Sequence, residues 1–142
     1  NHFYKCIMEA NEFDAPAVIS VYTTCQPEHG VADDVATKQA RLAVDTRAFP
    51  IYVFDPRKGP RMQDRWSLRG NPSPNKDWHR KKIDNGDFVE VKFRDFAISE
   101  GRFRKQFKDG KPSEMIFIAE EDRLAFWNRL QDLAGVERTI LE

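Results

Sequence analysis

Apolar positions at Phe3, Cys6, Ile7 and Ala10 recur at the spacing of one helical stripe, which predicts a helix from the first residues to about Phe13, ahead of Asp14-Ala15-Pro16. That stripe aims Cys6 at a core. The period then changes: Ala17-Val18-Ile19-Ser20-Val21-Tyr22 is almost unbroken apolar and β-branched, the pattern of a strand covered on both faces in a parallel sheet. After the loop TTCQPEHGVADD, Asp33 or Asp34 is placed to accept the free amide hydrogens of a helix through Arg47, with Ala36, Ala40, Ala43 and Val44 on one side. Phe49-Pro50-Ile51-Tyr52-Val53-Phe54 is a second short apolar run, ended by Asp55-Pro56. Strand, helix and strand make a βαβ unit with a right-handed crossover.

From Arg57 to about Asp87 the chain has further prolines and glycines and no sustained period, which predicts a long excursion of loops. Phe88-Val89-Glu90-Val91-Lys92-Phe93 alternates as a short strand or the beginning of a helix. Phe96, Ser99, Phe103 and Phe107 suggest a helix interrupted near Gly101. Pro112-Ser113 opens a final helix whose apolar face holds Ile116, Ala119, Phe126, Trp127, Leu130, Leu133 and Ala134, and Gly135 stops it. Glu120-Glu121-Asp122 reads as a solvated face, the final apolar face as core, and His79 as a surface or packing residue.

Composition narrows the class. At 142 residues there is room for one core. The 23 Lys+Arg balance 23 Asp+Glu, which weighs against a general polyanion binder and against nucleic acid as a partner. A mean hydropathy of -0.68 is polar for a compact domain and points to a large loop or to absent neighbours. No apolar run approaches the roughly 18 to 20 residues of a membrane helix, and nothing near Asn1 resembles a signal peptide, so the expectation is a soluble, cytoplasmic protein with no membrane partner. The absence of an initiator Met and the immediate start in helix suggest a piece of a longer chain. Two cysteines fit a reducing compartment, and glycine-rich phosphate motifs are absent.

Chemistry collects after the first predicted strand, because loops at the carboxyl ends of parallel strands meet in a crevice. Cys25 sits there, with Glu28 and His29 close in sequence. Three readings stand: a small buried residue closing the strand, a metal ligand in a site shared with other segments, or a reactive thiol paired with His29. Two cysteines and three histidines do not readily make a tetrahedral zinc site. Cys6, in the helical stripe, is assigned to packing.

Several motifs in order carry a resemblance. Asp14-Ala15-Pro16-Ala17-Val18-Ile19, Tyr22-Thr23-Thr24-Cys25, His29-Gly30, Gln39-Ala40-Arg41-Leu42-Ala43-Val44-Asp45, Phe49-Pro50-Ile51-Tyr52 and Phe54-Asp55-Pro56 together resemble pyruvate:ferredoxin (flavodoxin) oxidoreductases. Residues 1–59 look like the C-terminal part of their thiamine-diphosphate-binding domain. Residues 60–142, with GNP at Gly70 to Pro72, EGRF at Glu100 to Phe103 and AEEDRLAFWNRLQDLAG at Ala119 to Gly135, resemble the loop excursion and helical C-terminal extension of some bacterial members, within the same domain. The resemblance implies an α/β fragment of the parallel-sheet thiamine-diphosphate fold, a βαβ core with that excursion and extension. It implies an enzyme that oxidatively decarboxylates a 2-oxoacid, usually pyruvate, with coenzyme A to acyl-CoA and carbon dioxide, passing electrons through 4Fe-4S clusters to ferredoxin or flavodoxin. The implied cofactors are thiamine diphosphate, Mg2+ and 4Fe-4S clusters. By the resemblance, Cys25 is the fourth ligand of the cluster nearest the thiamine ring. The diphosphate motif, the other cluster cysteines and the CoA and pyruvate residues are missing from this chain, so it should carry no catalytic residue and be inactive alone.

Between Arg57 and Lys82 lie nine Lys/Arg against Asp64 and Asp77, with Trp66 and Trp78 interleaved. This basic excursion is read as a solvated loop balanced by Glu120, Glu121 and Asp122, or as a surface for an acidic electron carrier or another domain or subunit of the parent oxidoreductase. The rival to the oxidoreductase reading is a noncatalytic interaction or structural module in which Cys25 is inert.

Overall fold

The computed structural model describes residues 2–139. Helix α1 spans His2–Asn11, as the stripe predicts, but it buries none of its residues. Cys6 is therefore not a core residue. Its Sγ lies half-buried beside the ring nitrogens of His2 at 3.8 and 3.9 Å, one helical turn away.

The expected strand at residues 17–22 does not form. Residues 16–25 run as irregular chain with Val18 95% exposed and Ile19 and Val21 about half exposed. Among the described residues no backbone amide from Asp14 to Thr24 donates to another backbone carbonyl. An apolar run folds as a strand only when a neighbour supplies hydrogen bonds and a covering layer, and among the described residues no strand pairs with this run.

Two short elements follow, helix α2 at Gln26–His29 and helix α3 at Ala36–Asp45. A 3-10 turn at Asp33–Val35 leads into α3, and neither Asp33 nor Asp34 caps it through a side chain. After Thr46, Arg47 takes the left-handed conformation (φ 58) that usually falls to glycine at a helix end. The second predicted strand shrinks to β1, Val53–Phe54, which pairs antiparallel with β2, Trp66–Ser67, across helix α4 at Met62–Arg65.

The excursion continues into a hairpin, β3 at His79–Lys82 with β4 at Phe88–Val91, again antiparallel. Helix α5 spans Phe93–Ile98, and a 3-10 turn at Gly101–Gln106 replaces a continued helix, as the break near Gly101 foretells. Strands β5 (Phe107–Lys108) and β6 (Lys111–Pro112) form a third two-stranded ladder before helix α6 at Glu114–Leu133. The described residues thus form a mixed helix and strand fold in which every strand pair is antiparallel, so the parallel βαβ core expected from the sequence is not assembled within this chain.

Helix α6 divides two apolar clusters. On one side Ile116 joins Ala43, Trp78, Phe93, Phe96 and Ala97, and on the other Trp127 and Leu130 join Leu68. Its expected solvated face is only partly so. Glu120 is buried and takes a bidentate pair from Arg94, whose Nε lies 2.9 Å from Oε2. Burial pushes the Glu120 carboxyl up, but the Arg94 hydrogen bonds outweigh it and hold it below its ordinary range.

Buried polar side chains, rather than a period, organise the stretch between β2 and β3. The fully buried Arg47 guanidinium donates to the carbonyls of Pro72 (3.0 Å), Ser73 (3.0 Å) and Asp77 (3.2 Å) and lies 4.0 Å from the Trp127 ring centre. Trp127 Nε1 donates to Lys76 O at 2.8 Å, and Gln131 Nε2 to Pro74 O at 2.9 Å. Asn71 splices the loop to residue 51, accepting from Ile51 N at 2.8 Å and donating to Ile51 O at 2.6 Å. Loop backbone groups that lack a ladder are satisfied in this way.

Candidate functional site

The loop that carries Cys25 hangs between Tyr22 and Gly30. Cys25 is the residue preceding α2, extended at φ -115, and its carbonyl accepts the His29 amide at 2.8 Å. Its thiol is free and exposed, so the reading of Cys25 as a small buried residue is overturned.

Cys25 and His29 are not a nucleophile and base pair here. The His29 ring instead stacks on Tyr22 (centroids 5.9 Å apart, 28° between planes) and turns Nδ1 to within 3.6 Å of Glu100 Oε1. The Tyr22 hydroxyl donates to the same oxygen at 2.7 Å, and Gln39 Nε2 from α3 donates to it at 3.1 Å. Ser99 Oγ steadies Gln39 through its Oε1 at 3.0 Å. The second Glu100 oxygen faces Arg102 as an ion pair. Burial first, then the hydrogen bond and negative charge of Glu100, push the Tyr22 hydroxyl well above its ordinary range, so it stays a donor.

Two glycines allow this convergence. Gly30 is left-handed (φ +60), and a Cβ on it would stand 2.9 Å from Gly101 Cα. Only chains without Cβ atoms on the facing side pack so closely. Sequence reasoning missed Glu100. The available signal was two glycines, Gly30 and Gly101, each directly after a polar residue, His29 and Glu100, but nothing in the spacing pairs segments so far apart.

Beside the loop lies an open cavity of about 480 Å³ lined in part by Tyr22, His29, Phe49, Phe96, Arg102 and Phe103. Arg123 and Asp122 also line it, so its rim carries both signs of charge. Among the described residues no group of three His, Cys, Asp or Glu side chains could hold a metal ion. An exposed thiol such as that of Cys25 has the chemistry of one 4Fe-4S ligand, and no second cysteine is described beside it.

Four of the nine basic side chains of the excursion, Arg57, Lys58, Arg61 and Arg65, are engaged inside the chain, though not by Glu120, which belongs to Arg94. Arg57 grips Asp55 at 2.9 Å and reaches the α1 carbonyl of Glu9 at 3.2 Å. Arg61 pairs with Asp64 at 2.8 Å, and Arg65 donates to Gly59 O at 2.7 Å. Arg80, Lys81 and Lys82 remain exposed along β3, with Arg80 opposite Glu90. His79 is half-buried, its Nδ1 3.3 Å from Ser73 Oγ, a packing residue as expected. No helix among the described residues is long and apolar enough to cross a membrane.

No family model and no solved structure matches the chain. Among known proteins it is similar to the pyruvate-flavodoxin oxidoreductase of Rhodospirillum rubrum, 29% identical over 139 residues that cover 96% of this chain and 10% of that protein. It is 26% identical to the pyruvate:ferredoxin oxidoreductase of Moorella thermoacetica over 133 residues, 92% of this chain and 10% of that one. The pyruvate synthase subunit PorB of Thermotoga maritima is 25% identical over 136 residues, 96% of this chain and 35% of the subunit. The chain spans about a tenth of the length of the first two relatives. Several pyruvate:ferredoxin and pyruvate-flavodoxin oxidoreductases thus match the chain over nearly its whole length, which supports the resemblance read from its motifs.

Proposed function

We propose that this chain is a segment of an oxidoreductase that oxidatively decarboxylates a 2-oxoacid, pyruvate by preference, with coenzyme A, and hands the electrons to ferredoxin or flavodoxin. Its contribution is Cys25, which supplies one thiolate to a 4Fe-4S cluster whose other ligands, with thiamine diphosphate and Mg2+, belong to the rest of the protein. The carrying observation is the exposed thiol of Cys25, presented at the start of α2 on a turn braced by Tyr22 and His29. A cysteine meant only for packing has no reason to face outward on a braced turn. When bound, the cluster carries single electrons.

The same reading gives residues 16–24 a task. They supply a strand to a parallel sheet completed by other parts of the enzyme, which explains apolar side chains and free amides side by side on the surface. Residues 1–59 then belong to the thiamine-diphosphate domain and residues 60–142 to its excursion and helical extension.

In the full-length protein, Cys25→Ser should remove or alter the electron paramagnetic resonance of one cluster and leave the others. An unchanged spectrum would refute ligation and favour an interaction module with an inert Cys25.

A further inference from the structure

We propose that Glu100 is a positioning residue for the turn that presents Cys25, a role that rests on the ligation of a cluster by Cys25 proposed above. Tyr22 and His29 bracket Cys25 in sequence, and both converge on Glu100 Oε1, at 2.7 and 3.6 Å. One carboxylate oxygen therefore meets the chain on each side of the thiol, by a hydrogen bond from Tyr22 and by facing the buried His29 Nδ1, which has no hydrogen-bond partner among the described residues. Gln39 reaches the same oxygen from α3, and Arg102 neutralises the other. The Glu100 backbone is fixed in turn, because Gly101 packs directly against Gly30.

The carboxylate is completely enclosed: its side chain exposes 0% of its surface. Enclosing a charge is costly, and an apolar residue of similar size would fill the space at lower cost if packing were the only demand. Its partners are not scattered through the core but gathered on the two ends of one turn. Outer partners that orient a ligand are what hold a metal-binding sulfur in a fixed direction and set the electronic environment of the metal. Glu100 acts through Tyr22 and His29, and it touches neither the thiol nor any reacting atom in the contacts described.

The test compares Glu100→Ala, Glu100→Gln and Cys25→Ser in the full-length protein, by amide hydrogen exchange and by paramagnetic resonance with redox titration. Glu100→Ala should speed exchange at the His29 and Gly30 amides, which close α2, by about tenfold or more. It should also change the line shape and midpoint potential of the one cluster whose signal Cys25→Ser removes. Glu100→Gln keeps an acceptor for the Tyr22 hydroxyl and should restore most of the protection. Wild-type exchange and spectra in Glu100→Ala, with a cluster lost in Cys25→Ser, would overturn the positioning role and leave ligation standing. Cluster signals untouched by Cys25→Ser would overturn ligation and with it the cluster-directed role, while the exchange rates would still decide whether Glu100 braces the turn. If the alanine variant does not accumulate, Tyr22→Phe removes one arm of the brace, and an unshifted cluster signature there overturns the proposal.

Discussion

Replacing Arg47 by Met is the sharpest test of how the stretch from residue 68 to residue 78 is held. Methionine preserves much of the stem against Trp127 but deletes every donor. The carbonyls of Pro72 and Asp77 lose their donor at 3.0 and 3.2 Å, while Ser73 O keeps the Lys76 amide at 3.1 Å. At about 1 kcal/mol for each of the two carbonyls left without a partner, that is roughly 2 kcal/mol. Loss of the cation from the face of Trp127, 4.0 Å away, adds about 1 kcal/mol. Against this stands the relief of desolvation. Burial lowers the Arg47 guanidinium to about 10, and its Nη1 has no hydrogen-bond partner among the described residues. Removing such a charge returns about 1 kcal/mol, so the net loss is about 2 kcal/mol, a large share of a small domain's stability. The left-handed backbone at Arg47, with a strain of about 1 to 2 kcal/mol for a residue with a Cβ, remains in the variant without the side chain that holds it. Urea unfolding of the 142-residue chain, followed by tryptophan fluorescence, measures the difference. Arg47→Lys should fall between the two, since an ammonium cannot present the flat fork that spans three carbonyls. An Arg47→Met chain within about 1 kcal/mol of the parent would refute the assignment of the loop to this guanidinium.

Gly30→Ala places a Cβ 2.9 Å from Gly101 Cα at a positive φ, so thermal unfolding should show a loss of about 2 to 3 kcal/mol, and an alanine variant as stable as the parent would mean that the two turns do not meet as described. Asp55 is lowered from 3.8 to about 2, chiefly by its hydrogen bonds from Arg57. Because the folded form holds this carboxylate ionised, its contribution is complete above pH 3.8 and is lost as pH falls towards 2. Melting temperature against pH should therefore drop more steeply over that window for the parent than for Asp55→Asn, and parallel curves would contradict the pairing.

The elements legible in the sequence are those whose signal is local. The 3.6-residue stripe found α1, α3 and α6, and the break near Gly101 separated α5 from the 3-10 turn. Strand signals were legible only as apolarity. Ala17 to Tyr22 has the composition of a buried strand, yet strand structure is a property of a pair, and no neighbour pairs with it among the described residues. Cys6 failed for a related reason, since a helical stripe says which residues share a face and not what covers it. The loop between β2 and β3 was opaque because Arg47, Asn71 and Gln131 hold it by side chain to backbone hydrogen bonds, which follow no period. Cys25 stood out by its place after an apolar run, whereas Glu100 is recognisable only once the fold brings it to Tyr22.

The uncovered stretch at residues 16–24 governs how the chain behaves in solution. With Val18, Ile19 and Val21 exposed beside free amides, it is an open template for pairing with any extended segment, and at high concentration the most abundant one is the same stretch of another copy. A formal net charge of zero offers no long-range repulsion to keep copies apart. Self-association through this stretch is the chief hazard in handling the chain by itself, and a charged or proline-bearing guard within it is the corresponding remedy.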